Sequence, residues 1–174
     1  KAATVVLAQR KHRRGGELER LCDEIAVELL LPYEMFLRAL GGEPVSIAGI
    51  FGLAKQFDSS IQATALRAGE VSQQPVEVVC WERSGRSGIG VKARRGHEYL
   101  TAPGAERRGL EDESPVARAF RSKGTERGSE LPAPDAPWNV YDCEARGFLK
   151  GSARFVISVA RPAGVPAAAT AHGV

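Results

Sequence analysis

The sequence predicts an α+β chain, helical first and β-rich after, and three observations carry that expectation. Apolar residues recur at i, i+3, i+4 and i+7 through residues 17–31, the periodicity of a helix with one buried face. Two further apolar runs, residues 47–57 and 60–68, each start at a serine suited to helix capping. Beyond EVSQQP, residues 70–75, the runs become Val-rich and of strand length.

Taken in order, residues 2–8 suit a short strand or the end of a helix. RKHRRGG, residues 10–16, is a basic loop: a solvated connector or a cradle for an acidic partner. The helix over residues 17–31 turns Leu18, Leu21, Cys22, Ile25, Ala26 and Leu29 to one side. Pro32 ends it, because proline disfavours the helical state in the residue before it. A short helix over residues 33–40 stops at Gly41-Gly42.

Ser46 caps the helix over 47–57. The turn Asp58-Ser59-Ser60 caps the next, over 60–68, and Gly69 suits its C-terminal end. Together, residues 46–69 form a helix-turn-helix-like pair. VEVVCWE, residues 76–82, and residues 89–93 read as strands. Residues 154–161 alternate Phe155, Ile157 and Val159 on one face, the pattern of a half-buried strand. Residues 141–149 join it through KGS as a hairpin. The intervening residues 101–138 are rich in Gly, Pro and charge, with one short helix near 116–123. The expected division is a helical part over 1–72, a β-rich α+β part over 76–161, and a disordered tail over 162–174.

Composition bounds the function. The chain has 174 residues, 43% of them apolar and 26% charged, as in ordinary globular domains. A net charge of +3 is too mild to argue for nucleic acid by itself. No apolar run approaches the roughly 18 residues of a membrane span. Arg10 and Lys11 follow the apolar residues 2–8 where a signal peptide has a small-residue cleavage site. Cys22, Cys80 and Cys143 are far apart, odd in number and without a CxxC pair, which argues against a Cys-based zinc site. Reduced thiols in a cytoplasmic protein are the expectation.

Glu19 and Asp23 lie one turn apart on the margin of the first helix's apolar arc. They are solvated charges near a helix N-terminus, where acids suit the dipole. Alternatively, one binds a metal and the other orients a metal-bound imidazole.

LERLCDEIAVELLLPYEMF, followed by IAGIFGLAKQFDSSIQATALR, resembles the later part of the ImmA/IrrE family of zinc metallopeptidases. The likeness covers residues 17–68. It rests on Glu19, Asp23 and IAVELLLP, then on Ile50, Leu53, Ala54, Phe57, Ser60, Ala63 and Arg67. The resemblance implies a partial zincin-like peptidase domain, with Glu19 as a Zn²⁺ ligand and Asp23 supporting a metal-bound histidine. The family's HExxH helix, which supplies two histidines and the general-base Glu, has no counterpart here. His12, His97 and His172 lack a histidine at i+4, and HEYLT, residues 97–101, ends in Thr101. The chain starts at Lys1 and its only methionine is Met35, so the expectation is a fragment whose HExxH lies upstream. The implied parent is a metallo-endopeptidase whose zinc-bound water attacks a peptide bond of a DNA-binding repressor. The chain alone is expected to hold no zinc tightly and to cleave nothing.

The different-class alternative is a non-enzymatic DNA-binding or regulatory module with a sensor domain. Gln62, Thr64 and Arg67 on the second helix of the pair are the candidate DNA contacts, a thin set for reading base edges. Packing of the pair against a core is the other role for those helices. In the β-rich part, Trp81, Trp138, Tyr141 and Phe148 suit core and hairpin packing or a ligand pocket. Its layout is similar to the GAF-like sensor that follows the peptidase in some family members.

Overall fold

A computed structural model of the chain describes residues 16–84, 88–96, 113–122, 124–130, 141–150 and 153–163. Four helices come first: α1 (Gly16–Leu30), α2 (Tyr33–Leu40), α3 (Ile47–Gln56) and α4 (Ile61–Val71). Strands β1 (Glu77–Ser84) and β2 (Gly88–Gly96) follow, then α5 (Pro115–Ala119), β3 (Thr125–Glu130), β4 (Tyr141–Lys150) and β5 (Ala153–Pro162). The strands form one antiparallel sheet in the order β2-β1-β5-β4-β3. The late strand β5 thus lies at the centre, between the first strand and the fourth.

Local chemistry sets the helix ends. Ser46, Ser60 and Ser114 each accept a hydrogen bond from the backbone N–H three residues on, at 3.1 Å. Each such cap contributes about 1 kcal/mol. Gly41 ends α2 in the left-handed conformation, φ +67°, which a side chain disfavours.

Alternation in the strands decides the packing. Val78 and Cys80 of β1 and Ile157 and Val159 of β5 face α2, α3 and α4. There they share one core with Phe36, Ile50, Leu53, Ala65 and Ala68. Cys143, Ala145 and Val156 point the other way, onto Val116, Ala119 and Phe120 in and just after α5. Arg118 fastens that helix to the edge strand, donating to Glu126 at 3.1 Å and to the Arg127 carbonyl at 2.7 Å.

Four expectations are corrected. Residues 72–75 connect parts that share a core, because the α3–α4 pair and the sheet's apolar face have each other to bury. β5 is buried on both faces: Val156 and Ser158 are as covered as Ile157 and Val159, since α5 caps the second side. Gly69 lies inside α4, which runs to Val71. A Cβ there would meet the Arg95 carbonyl oxygen at 2.9 Å and Val78 Cβ at 3.1 Å, so this glycine lets the helix touch the sheet. The arc of α1 expected to be buried is open. Leu21, Ile25 and Leu29 are 50%, 51% and 76% exposed, and Cys22 and Ala26 are exposed too. Glu28 and Leu31, at and just past its C-terminal end, tie α1 to the body.

The helix expected over 116–123 is the shorter α5, and β3 was not foreseen at all. Pro162 still belongs to β5. Residues 2–8, the basic loop up to residue 15, the histidines, Trp138 and the tail from residue 164 lie outside the described residues.

Candidate functional site

The sequence-derived residues separate into two places. Glu19 and Asp23 stand exposed on α1. Among the described residues no group of three or more His, Cys, Asp or Glu converges in a way that could hold a metal. A zinc site needs three or four converging ligands. The described residues bring one carboxylate and its neighbour toward that number, and His12, His97 and His172 all lie outside them.

Thr64 and Arg67 are turned inward. Thr64 is fully buried, donates to the Ser60 carbonyl at 2.9 Å and shares a 2.7 Å hydrogen bond with Ser59. Arg67 is 4% exposed and acts as a clamp. Its Nε donates to the Leu31 carbonyl at 2.9 Å, Nη1 reaches Glu70 at 3.3 Å, and Nη2 bonds Glu28. Its guanidinium also lies 5.6 Å from the centre of the Tyr33 ring. The Glu28 carboxyl is held below the ordinary carboxylate range, first by the Tyr33 N–H and then by Arg67. One arginine thereby joins the ends of α1, α2 and α4, and its donors are spent inside the fold. Neither Thr64 nor Arg67 can reach a base edge in this arrangement. Gln62 is partly exposed, and a single side chain is a poor reader of sequence.

A site that the motifs did not single out lies where α3 crosses β4. The Phe51, Phe148 and Phe155 rings form a ladder, with centroids 5.4 Å and 5.3 Å apart. Arg146 lies over the Phe51 ring, 4.6 Å from its centroid. Phe51, Arg146, Phe148, Gly147, Leu149 and Arg154 line a groove of about 310 Å³. That volume is at the small end of ligand sites, which run from about 300 to 1,000 Å³. Among the described residues no acid contributes to the lining. Arg154 donates to the Ser122 carbonyl, and its Nε is buried without a hydrogen-bond partner. Gly147 has no room for a side chain, since a Cβ would meet the Ala119 carbonyl oxygen at 2.4 Å. Phe148, an aromatic that the sequence offers for packing or for a pocket, packs on Phe51 and Phe155 and also lines this groove. Phe51 and Arg146 carried no signal of their own, because their adjacency arises from a contact between segments about a hundred residues apart.

A second junction holds α3 from its start. Glu144 of β4 accepts from the Ile47 N–H at 3.0 Å, and Arg127 and Arg161 reach its other oxygen at 3.2 and 3.6 Å. α3 is therefore tied to β4 at its N-terminus through Glu144 and at Phe51 through the ring ladder.

No family model matches the chain, and no curated protein matches it significantly. Solved structures do match. The fold is similar to that of a transcriptional regulator. That protein, a Mycobacterium tuberculosis transcriptional regulator, superposes with a TM-score of 0.57 at 19% identity over 82% of this chain. The match spans 44% of the regulator's own chain, so the likeness covers less than half of that molecule. Among the described residues, no helix is long and apolar enough to cross a membrane.

Proposed function

We propose that this chain is the signal-sensing part of a cytoplasmic bacterial transcriptional regulator. In this reading the GAF-like sheet and the helical pair work as one unit, and a small molecule is sensed where they meet. The observation that carries it is the groove between α3 and β4, floored by aromatic rings and set in the contact joining helices to sheet. A ligand bound there changes how α3 sits on β4, and so couples occupancy to the helical layer. The likeness to a regulator's fold supports the setting. The α3–α4 pair serves as packing in this reading, and the DNA-reading surface belongs to other parts of the regulator.

The test is transcript profiling of the source organism with and without the gene. A defined set of transcripts is expected to change and to be restored by the wild-type copy. An unchanged profile across growth conditions would overturn the reading.

One observation favours a second reading, a fragment of a zinc metallo-endopeptidase acting on a repressor. The apolar arc of α1 is open beside Glu19 and Asp23, as a helix would be whose partner helix is supplied from elsewhere. That reading expects stoichiometric zinc on the intact gene product, measured by elemental analysis, and its loss in Glu19→Gln. Zinc retained at full stoichiometry in Glu19→Gln would sink it.

A further inference from the structure

The chemistry of the groove narrows what it takes. We infer that the groove between α3 and β4 binds a small organic anion, a carboxylate or phosphate monoester carried on a flat apolar body. This rests on the sensor reading and adds the ligand class to it.

Three features point the same way. The first is charge. Arg146 and Arg154 line the groove, and among the described residues no acid joins the lining and neither arginine has an ion pair. Where a glutamate is in reach the guanidiniums of this protein pair with it, as Arg67, Arg118, Arg127 and Arg161 do, so a free carboxylate or phosphate has the chemistry that these two arginines can take. The second is orientation. The Arg146 guanidinium lies over the Phe51 ring, 4.6 Å from its centroid, a contact that restrains the side chain and lowers the entropy lost when it grips a carboxylate or phosphate through two parallel N–H bonds. The third is the floor. Phe51 and Phe148 lie with centroids 5.4 Å apart and offer ring faces and edges to a planar body. A cation would meet two positive charges there, and a neutral molecule would leave the Arg146 donors unpaired.

The test is isothermal titration of the 174-residue chain with four probes that share a phenyl ring: benzoate, phenyl phosphate, benzyl alcohol and benzylamine. At least one anion is expected to bind at least tenfold more tightly than benzyl alcohol, with benzylamine weaker still. Which anion leads separates a carboxylate source from a phosphate source. Arg146→Gln is expected to weaken the better anion at least tenfold while leaving benzyl alcohol unchanged, and raised salt is expected to weaken the anion only. Phe51→Leu, which keeps the site apolar, is expected to weaken all bound probes together. Thermal melts of both variants establish that each is folded before its binding is compared. Equal affinity for benzyl alcohol and the anions, or anion binding untouched in folded Arg146→Gln, overturns the ligand class and leaves a sensor of neutral ligands standing. No binding by any probe overturns this assignment, and the transcript profile then decides the regulator reading separately.

Discussion

Arg67→Ala tests whether the helical layer is held by one internal clamp or presents a DNA-reading surface. Removing the guanidinium takes a donor from the carbonyl of Leu31, a residue only 1% exposed. An acceptor left without its partner in such a place costs about 1–3 kcal/mol. The two ion pairs add less. The Glu28 and Glu70 side chains are 56% and 32% exposed, so water solvates them once the arginine is gone. Such pairs are worth about 0–1 kcal/mol each. Together the expected loss is about 1–5 kcal/mol. For a chain of this size that lowers Tm by roughly 2–20 °C, since about 1 kcal/mol moves it 2–4 °C. Arg67→Lys keeps a charge but loses the planar fork, and is expected to fall between the two. Urea and thermal unfolding followed by circular dichroism measure both. A loss under about 0.5 kcal/mol, the range of an ordinary surface substitution, would refute the clamp. So would unchanged stability together with lost affinity for duplex DNA.

Gly69→Ala is expected to destabilise by about 1–2 kcal/mol in urea melts: alanine gains up to about 1 kcal/mol of helix propensity, but overpacking against the Arg95 backbone costs more. A stabilised variant would show that α4 can lift off the sheet at no cost. Of the three thiols, only Cys22 is exposed, and burial pushes the Cys80 thiol up to about 12. Titration of the native protein with a thiol reagent near pH 8 is therefore expected to label Cys22 alone, with Cys80 and Cys143 reacting after unfolding; rapid native labelling of Cys80 would contradict its placement. Glu28 makes an acid-side contribution. Its folded-state pKa lies below 4.5, so the stability it supplies is present above about pH 4.5 and is lost as pH falls through the lowered value. Glu28→Gln is expected to be less stable near pH 7 and to show a shallower loss of stability on acidification; parallel curves for the two proteins would rule that out.

The helices were legible because local chemistry writes them. Ser46 and Ser60 cap, Pro32 and Gly41 stop, and apolar spacing fills the turns between. The core strands were legible for the same reason, through their runs of Val, Ile and Phe. β3 was not, because an edge strand reading TERGSE has no apolar alternation to betray it. Gly69 misled because a glycine near a helix end has two uses, a left-handed stop or a close approach, and only the neighbour across the gap distinguishes them. Arg67 was offered as a DNA contact because arginine on a second helix is the residue type that reads bases. Its burial depended on Leu31, thirty-six positions away. The groove was invisible for a like cause, since Phe51 and Arg146 are distant in sequence.

The sequence by itself determined the α+β class, the helical-then-β order and the apolar alternation of the core strands, because capping, turn chemistry and periodicity act within a few residues. It also supplied the α1 pattern whose resemblance suggested a metallopeptidase, but Glu19 and Asp23 acquire a metal role only if other ligands converge on them. Tertiary structure alone decided the strand order that puts β5 at the centre, the burial of Arg67 and Thr64, and the pairing of α3 with β4 that sets two arginines beside an aromatic floor. These depend on which apolar surfaces find each other. That choice is made by the whole chain minimising exposed area, so no single segment encodes it.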